Sequence, residues 1–478
     1  MKSIYLQEQK KYSIQHLSNK FECSQSDFSE IFKKLLNLGI LKKDKANVEL
    51  ISDTVFSEMN NFKTLAFEYD KNGQYVLTFV GIIIVNNVLI NCYPKYITKK
   101  EKPIDELYQI LNVIRKYNSE SQKIYAFGDA DEDPFNNHVQ ILLSLLQDYF
   151  ENGIYQHVVS IVEMNGMGEI CWNKTINEIQ PLILNNEPYY IDTYTKKNSL
   201  DKMYYFKELH ECILTLASTE LKETGLLDIF QITEVNLTDK TLIEFGDNDI
   251  ILSRIDNERS IEFNTRKLRV LKMMHDYIKL KSNIEASNFV SIYGTKNFSH
   301  LWEVLCSKVM DNQLYRPLRD LRLPKLLNPN YTRNQPLIKI IEKPLWTFTK
   351  MHANYTLIPD IVAINGDEFC IIDAKYYTPK LVPGELPKRQ PGVEDIVKQY
   401  MYQLFFNEFV NEHGFKKVNN CFLMPTENEA VECRGEACLE ILTSLKLNNI
   451  QVRMIPAKQV YDFYLKEKKF DIRYLELY

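Results

Sequence analysis

Apolar residues change their period several times along this chain, and the changeovers divide it. Ile14 to Phe21 fits one short helix, and Ser24-x-x-Asp27 supplies the cap of a second. Phe28, Ile31, Phe32, Leu35 and Leu36 then recur three and four apart, the spacing of one buried helix face, and Gly39 ends the run. Val48 to Ser52 reads as a strand beside that helix pair. From about 62 the period drops to two. Thr64 to Tyr69, Tyr75 to Ile84 and Val88 to Tyr93 read as strands, separated by the turn residues Asp70-Lys71-Asn72-Gly73 and Asn86-Asn87. A small antiparallel sheet or barrel fits them. Helical spacing returns from about 104 to 153, interrupted by the acidic run Asp129 to Asp133. That run is not a Ca²⁺ loop, because Pro134 and Gln140 stand where such a loop needs glycine and a bidentate glutamate.

The C-terminal part mixes both periods. Phe298 to Val309 predicts a helix with Leu301, Trp302, Leu305 and Val309 on its apolar face. Thr347 and Phe348 read as part of a strand preceding Asp360. Leu357 and Ile358 lead into Asp360, and Ile361, Val362 and Ile364 continue an extended apolar run. Asn365-Gly366 is a hairpin turn, and Phe369 to Ile372 forms a second buried strand ending at Asp373. Glu394 to Asn411 predicts a long amphipathic helix. Cys421 to Met424 and Gln451 to Ile455 follow as core strands, with a last helix from Lys458 to Phe470.

Composition narrows the class. A chain of 478 residues, 45% hydrophobic and 25% charged, is a soluble globular protein with more than one core. Its 29 tyrosines and 25 phenylalanines argue against disorder. Nine scattered cysteines include no C-x-x-C pair, so reduced thiols are expected rather than a zinc ribbon or a disulfide framework. The N-terminus opens polar, and the longest apolar run, Phe79 to Asn91, is too short to span a bilayer. A cytoplasmic protein without a membrane partner is expected.

The hairpin carries the chemistry. Asp360 and Asp373 lie thirteen residues apart and at similar distances from the Asn365-Gly366 turn. They therefore meet at one end of the hairpin, with Lys375 on the same face as Asp373 because strand side chains alternate. Two carboxylates suit Mg²⁺, and a lysine beside them can face a phosphate or an attacking water. A bare D…DxK match also arises by chance, as an ordinary hairpin with solvated charges at its open end. Glu303, on the upstream helix, is a candidate third carboxylate; otherwise it is a solvated helix residue. Gln399, Tyr402 and Gln403 lie on the downstream helix. Arg266, Lys267, Arg269 and Lys272 on one helix, and Arg316, Arg319, Arg322 and Lys325 on the loop before the core strands, either solvate those elements or contact backbone phosphates. The second group adjoins the hairpin and is the better candidate for DNA. A lone His210 reads as structural.

Taken together, Asp360, Asp373 and Lys375 resemble the PD-(D/E)xK nuclease core. With the Phe79-Val80-Gly81 to Pro94-Lys95-Tyr96 stretch and Gly168-Glu169-Ile170-x-Trp172-x-Lys174-Thr175-Ile176, the chain resembles the LlaJI-type restriction endonuclease family, related to McrC, over about residues 60 to 460. That resemblance implies an α+β multidomain protein: a winged-helix-like module at 1–58, a β plus helical region at 59–258 that binds a partner or DNA, and an α/β nuclease domain at 259–478. The winged-helix pattern serves DNA contact and protein docking equally. The resemblance implies a Mg²⁺-dependent DNA endonuclease of an anti-phage restriction system. Asp360, Asp373 and Glu303 would be its metal ligands, with Lys375 catalytic. Gln399 would buttress the metal site, although its spacing to Tyr402 departs from the usual Q-x-x-x-Y.

No glycine is followed by lysine, so the sequence holds no recognisable phosphate-binding P-loop. The resemblance accordingly implies a separate McrB-like AAA+ GTPase, with a cognate methyltransferase in the same system. A net charge of −5 agrees with shared DNA binding, because a lone DNA binder usually carries a basic excess. Two alternatives stay open: a free-standing type II homodimer, and a non-cleaving DNA-binding or scaffold protein.

Overall fold

A computed structural model describes residues 2–44, 74–85, 88–125, 138–156, 158–200, 205–286, 290–445 and 447–478. The strands expected at Val48–Ser52 and Thr64–Tyr69, and the acidic run at 129–133, lie outside the described residues. Two compact units result, one of them discontinuous: Met1–Ala130 with Ile292–Tyr478, and Asp131–Ser291. The N-terminal segment thus shares a unit with the strands that carry Asp360 and Asp373. No helix among the described residues is long and apolar enough to cross a membrane.

In the first unit the two N-terminal helices form at Ile14–Phe21 and Gln25–Asn37. Ser24 caps the second by accepting the Asp27 N–H at 3.2 Å, and Phe28, Ile31, Phe32 and Leu35 are its buried residues. Gln74–Leu77 pairs antiparallel with both Lys11–Ser13 and Leu41–Lys43, making a three-stranded sheet beside them. A second sheet has Val80–Val85 and Val88–Tyr93 as a hairpin, flanked by Lys2–Gln7 and Val290–Thr295. Lys2–Gln7 runs parallel to Val88–Tyr93, a pairing the sequence pattern did not suggest. Where the outer strand passes Val80–Val85 the backbones nearly touch. A Cβ on Gly81, whose φ is +142°, would stand 2.2 Å from the Tyr293 carbonyl oxygen, so only glycine fits there.

The rest of this unit is a five-stranded mixed sheet ordered Ile361–Asn365, Glu368–Ala374, Lys417–Thr426, Ile450–Pro456, Glu432–Ala437. The first two strands form the expected hairpin, with Ile361 opposite Ile372 and Gly366 at φ +62° in its turn. The helix Val393–Glu412 is the crossover that returns the chain to a parallel third strand. Its Phe406 and Phe409 bury against Val362, Phe369 and Ile371. Two expectations are corrected. Thr347 and Phe348 sit in the turn of a separate small hairpin, Leu345–Trp346 with Met351–His352, where Phe348 is fully exposed. The last helix is Ala457–Leu465 and stops short of Phe470, whose N–H turns to the Val309 carbonyl at 2.9 Å.

The second unit is mostly helical: His138–Asn152, Tyr205–Glu223, Leu226–Phe230, Asn248–Ile261 and Thr265–Ala286. Arg266 and Arg269 both bind the buried Asp148 carboxylate, at 2.9 and 2.8 Å, so they tie two helices together. His210 is buried and accepts the Tyr155 N–H at 3.0 Å; burial holds its pKa down at about 4, as befits a structural histidine. A small sheet pairs Val158–Met164 with Tyr194–Leu200, and Glu169–Ile170 joins it ahead of the short helix Trp172–Glu178.

Candidate active site

Strand alternation decides which residues reach the site. Phe369, Ile371 and Asp373 share one face of their strand. The first two are buried in the core beneath the long helix, and the third lies where the strand leaves that core. With Ile361 opposite Ile372, the register sets Asp360 across from Asp373 one step beyond the ladder. At that end Asp360 Oδ2 accepts the Ala374 N–H, next to Asp373, at 2.8 Å. Asn312 fastens the same segment from outside. Its Nδ2 donates to the Asp360 carbonyl at 2.7 Å, and its Oδ1 accepts the Val362 N–H at 3.1 Å. Nothing in the sequence marked Asn312.

Lys375 extends the ladder by one bond, its N–H donating to the Leu423 carbonyl at 2.9 Å. Its Nζ stands 2.8 Å from Asp373 Oδ2 and 3.1 Å from Asp395 Oδ1. Burial alone would pull the lysine pKa down. The charges of Asp373 and Asp395, and their hydrogen bonds, outweigh it and hold the ammonium above its ordinary range. Asp395 escaped the sequence analysis because an acid in the first turn of a helix already has an explanation in the helix dipole.

The remaining candidates fall at graded positions. Glu303 is half-buried on the helix Phe298–Val309, with His300 Nδ1 at 3.5 Å from its carboxylate. Its pKa is raised by burial, with Asp373 adding and Lys375 and His300 opposing. Gln399 is buried, and its Nε2 donates to the Ile371 carbonyl at 2.9 Å, two residues before Asp373. Its Oε1 finds no hydrogen-bond partner among the described residues. Tyr402 is also buried; burial first, then the charges of Asp373 and Asp360, raise its pKa. The loop cations spread out. Arg316 pairs with Asp311 at 2.7 Å, near the Asp360 end, where Gln313 bonds Val362. Arg319 bonds Asn334 at 2.7 Å, and Arg322 is exposed. The Lys325 N–H meets the His413 carbonyl, beyond the far end of the long helix and about 27 Å along it from Asp395 at 1.5 Å per residue.

Asp360 carries the electrostatic signature. Burial, then the charge of Asp373, then that of Glu303, push its carboxyl up to about 8 against the pull of Lys375 and the Ala374 N–H. A folded pKa above the unfolded value means that the folded protein keeps a proton the unfolded chain gives up. The resulting stability is full below about 4 and is lost as pH rises through about 8. In metal-free protein, Asp360→Asn should therefore gain melting temperature over wild type progressively between those limits. Paired thermal melts across that range check it, and a constant difference would refute it.

Among the described residues no three His, Cys, Asp or Glu side chains converge on one cation position. Asp360 and Asp373 alone still suit a hard cation such as Mg²⁺, which takes one or two protein carboxylates and keeps several waters. Burial first, and then the like charges of Asp373 and Glu303, favour a proton on Asp360, and such a cation would offset the part that comes from charge.

Two carboxylates and an ammonium thus stand together at one sheet end of a mixed α+β frame, a residue set whose chemistry suits a hard cation and an anionic group. The chain belongs to the LlaJI restriction endonuclease family, whose profile matches residues 79–458. It is 27% identical over 445 residues to the component YdjA of the type II restriction enzyme BsuMI of Bacillus subtilis strain 168, covering 89% of each chain. Thermococcus gammatolerans McrB AAA+ hexamers with bound McrC give a TM-score of 0.38 at 12% identity, covering 97% of this chain and 99% of that one. The McrBC complex of the same organism gives 0.24 at 14% identity, covering 58% and 80%.

Proposed function

We propose that the chain is the DNA-cleaving subunit of a restriction system of the PD-(D/E)xK kind, hydrolysing phosphodiester bonds with Mg²⁺. The observation that carries this is the convergence of Asp360, Asp373 and Lys375 at one strand end. Asp360, Asp373 and the Ala374 carbonyl would hold the cation, with Glu303 completing the shell through water, since it does not converge with the two aspartates on one position. When bound, the cation supplies Lewis-acid stabilisation of the phosphate and a more acidic water. Lys375 faces the phosphate, orients the attacking water and offsets negative charge building on the pentavalent centre. Gln399 steadies the Asp373 strand through the Ile371 carbonyl. Arg316, Arg319 and Arg322 contact the DNA backbone, with Lys325 farther along the duplex.

A separate AAA+ GTPase partner is part of the proposal. The chain has no P-loop of its own, and the Bacillus subtilis relative is described as a component of its enzyme. Membership of a restriction–modification system would add a cognate methyltransferase and a role in phage defence. The test is cleavage of supercoiled plasmid in Mg²⁺ by the chain alone and with the AAA+ protein encoded beside it, with and without GTP. Cleavage only with partner and nucleotide is the expected result. Site-specific cleavage by the chain alone would replace the motor-dependent reading with a free-standing type II enzyme. DNA binding without cleavage under every condition would overturn the nuclease reading in favour of a scaffold.

A further inference from the structure

The Lys375 ammonium has two carboxylate partners that are not equivalent. Asp373 shares its strand end with Asp360, and its Oδ2 already bonds the lysine at 2.8 Å. Asp395 belongs to the helix Val393–Glu412. Its Oδ2 accepts the Gly392 N–H at 3.1 Å while its Oδ1 stands 3.1 Å from Lys375 Nζ. One oxygen is thus fixed by the helix start and the other holds the ammonium, so its position does not depend on the aspartate pair. A carboxylate that binds a cation has less charge left for a lysine, and a lysine bound to it competes with that cation.

We propose that Asp395 is the positioning residue for Lys375: it retains the ammonium at the site when Asp373 serves a divalent cation, and so keeps the lysine aimed at the substrate phosphate. This rests on the nuclease reading of the site. Asp395→Asn is the informative change, because its amide oxygen can still cap Gly392 while the charge is gone.

Two readouts are taken on the full chain: the Mg²⁺ concentration at half-maximal thermal stabilisation, and plasmid cleavage with whatever partner wild type requires. In Asp395→Asn the Mg²⁺ midpoint rises about 10-fold and kcat falls on the order of 10–100-fold, with KM for plasmid and DNA affinity in Ca²⁺ unchanged. In a Lys375→Met background the same change no longer moves the Mg²⁺ midpoint, because the residue acts through the lysine. If Asp395→Asn fails to fold, Asp395→Ser, which also keeps an oxygen for the cap, carries the test. A wild-type midpoint and rate in the variant, or an equal shift with and without Lys375, would overturn the proposal. Wild-type cleavage by Asp373→Ala would instead remove the nuclease reading beneath it.

Discussion

Asp373→Ala should abolish plasmid cleavage, by on the order of 10³-fold or more, while leaving the fold standing. The size follows from the role proposed for the carboxylate. A cation in such a site contributes several kcal/mol to the transition state, and about 1.36 kcal/mol is one decade of rate. The sparing of the fold follows from charge. Asp373 is buried within reach of Asp360, and its charge helps force a proton onto that neighbour. Removing it relieves repulsion at the sheet end, and Lys375 keeps Asp395 as a partner at 3.1 Å. The metal-free variant should therefore melt close to wild type, whereas the stabilisation that Mg²⁺ gives wild type should vanish. Nicking rates and paired melts with and without Mg²⁺ measure both. A variant that melts far below wild type without metal would mean that the carboxylate is structural.

What the sequence disclosed and what it hid divide along physical lines. Local signals were reliable. The Asn365-Gly366 turn set the hairpin register, which puts Asp360 across from Asp373, and helical spacing placed Trp302 on a buried face. Non-local pairing was invisible. Lys2–Gln7 reads as an undistinguished polar start, yet it lies parallel to Val88–Tyr93, and no local pattern encodes a partner so far along the chain. The discontinuous unit is the same problem on a larger scale. Thr347 and Phe348 misled because β-favouring residues occur in turns as well as strands, and there Lys350 takes a left-handed conformation at φ +55°. Asp395 and Asn312 were hidden for another reason: their partners are fixed by tertiary packing, and each residue type has a commonplace local explanation.

The second large effect concerns the frame of the site. Trp302 is fully buried on the helix that carries Glu303, and its ring meets Tyr461 edge-on with centroids 6.4 Å apart. Truncation to alanine leaves a cavity that a close-packed sheet cannot fill, at a cost of about 3–5 kcal/mol. At roughly 2–4 °C per kcal/mol for a large unit, Trp302→Ala should lower the main melting transition by roughly 6–20 °C. A fall of only a degree or two would mean that the helix is not packed as described. The indole also donates a long hydrogen bond, 3.5 Å, to the Leu423 carbonyl, the oxygen that accepts the Lys375 N–H at 2.9 Å. A carbonyl oxygen has two lone pairs and can take both. The Glu303 helix and the lysine strand are thus joined at one atom. Trp302→Phe, which keeps most of the ring but not the donor, should cost much less in stability than the alanine variant, because most of the loss comes from volume rather than from one hydrogen bond.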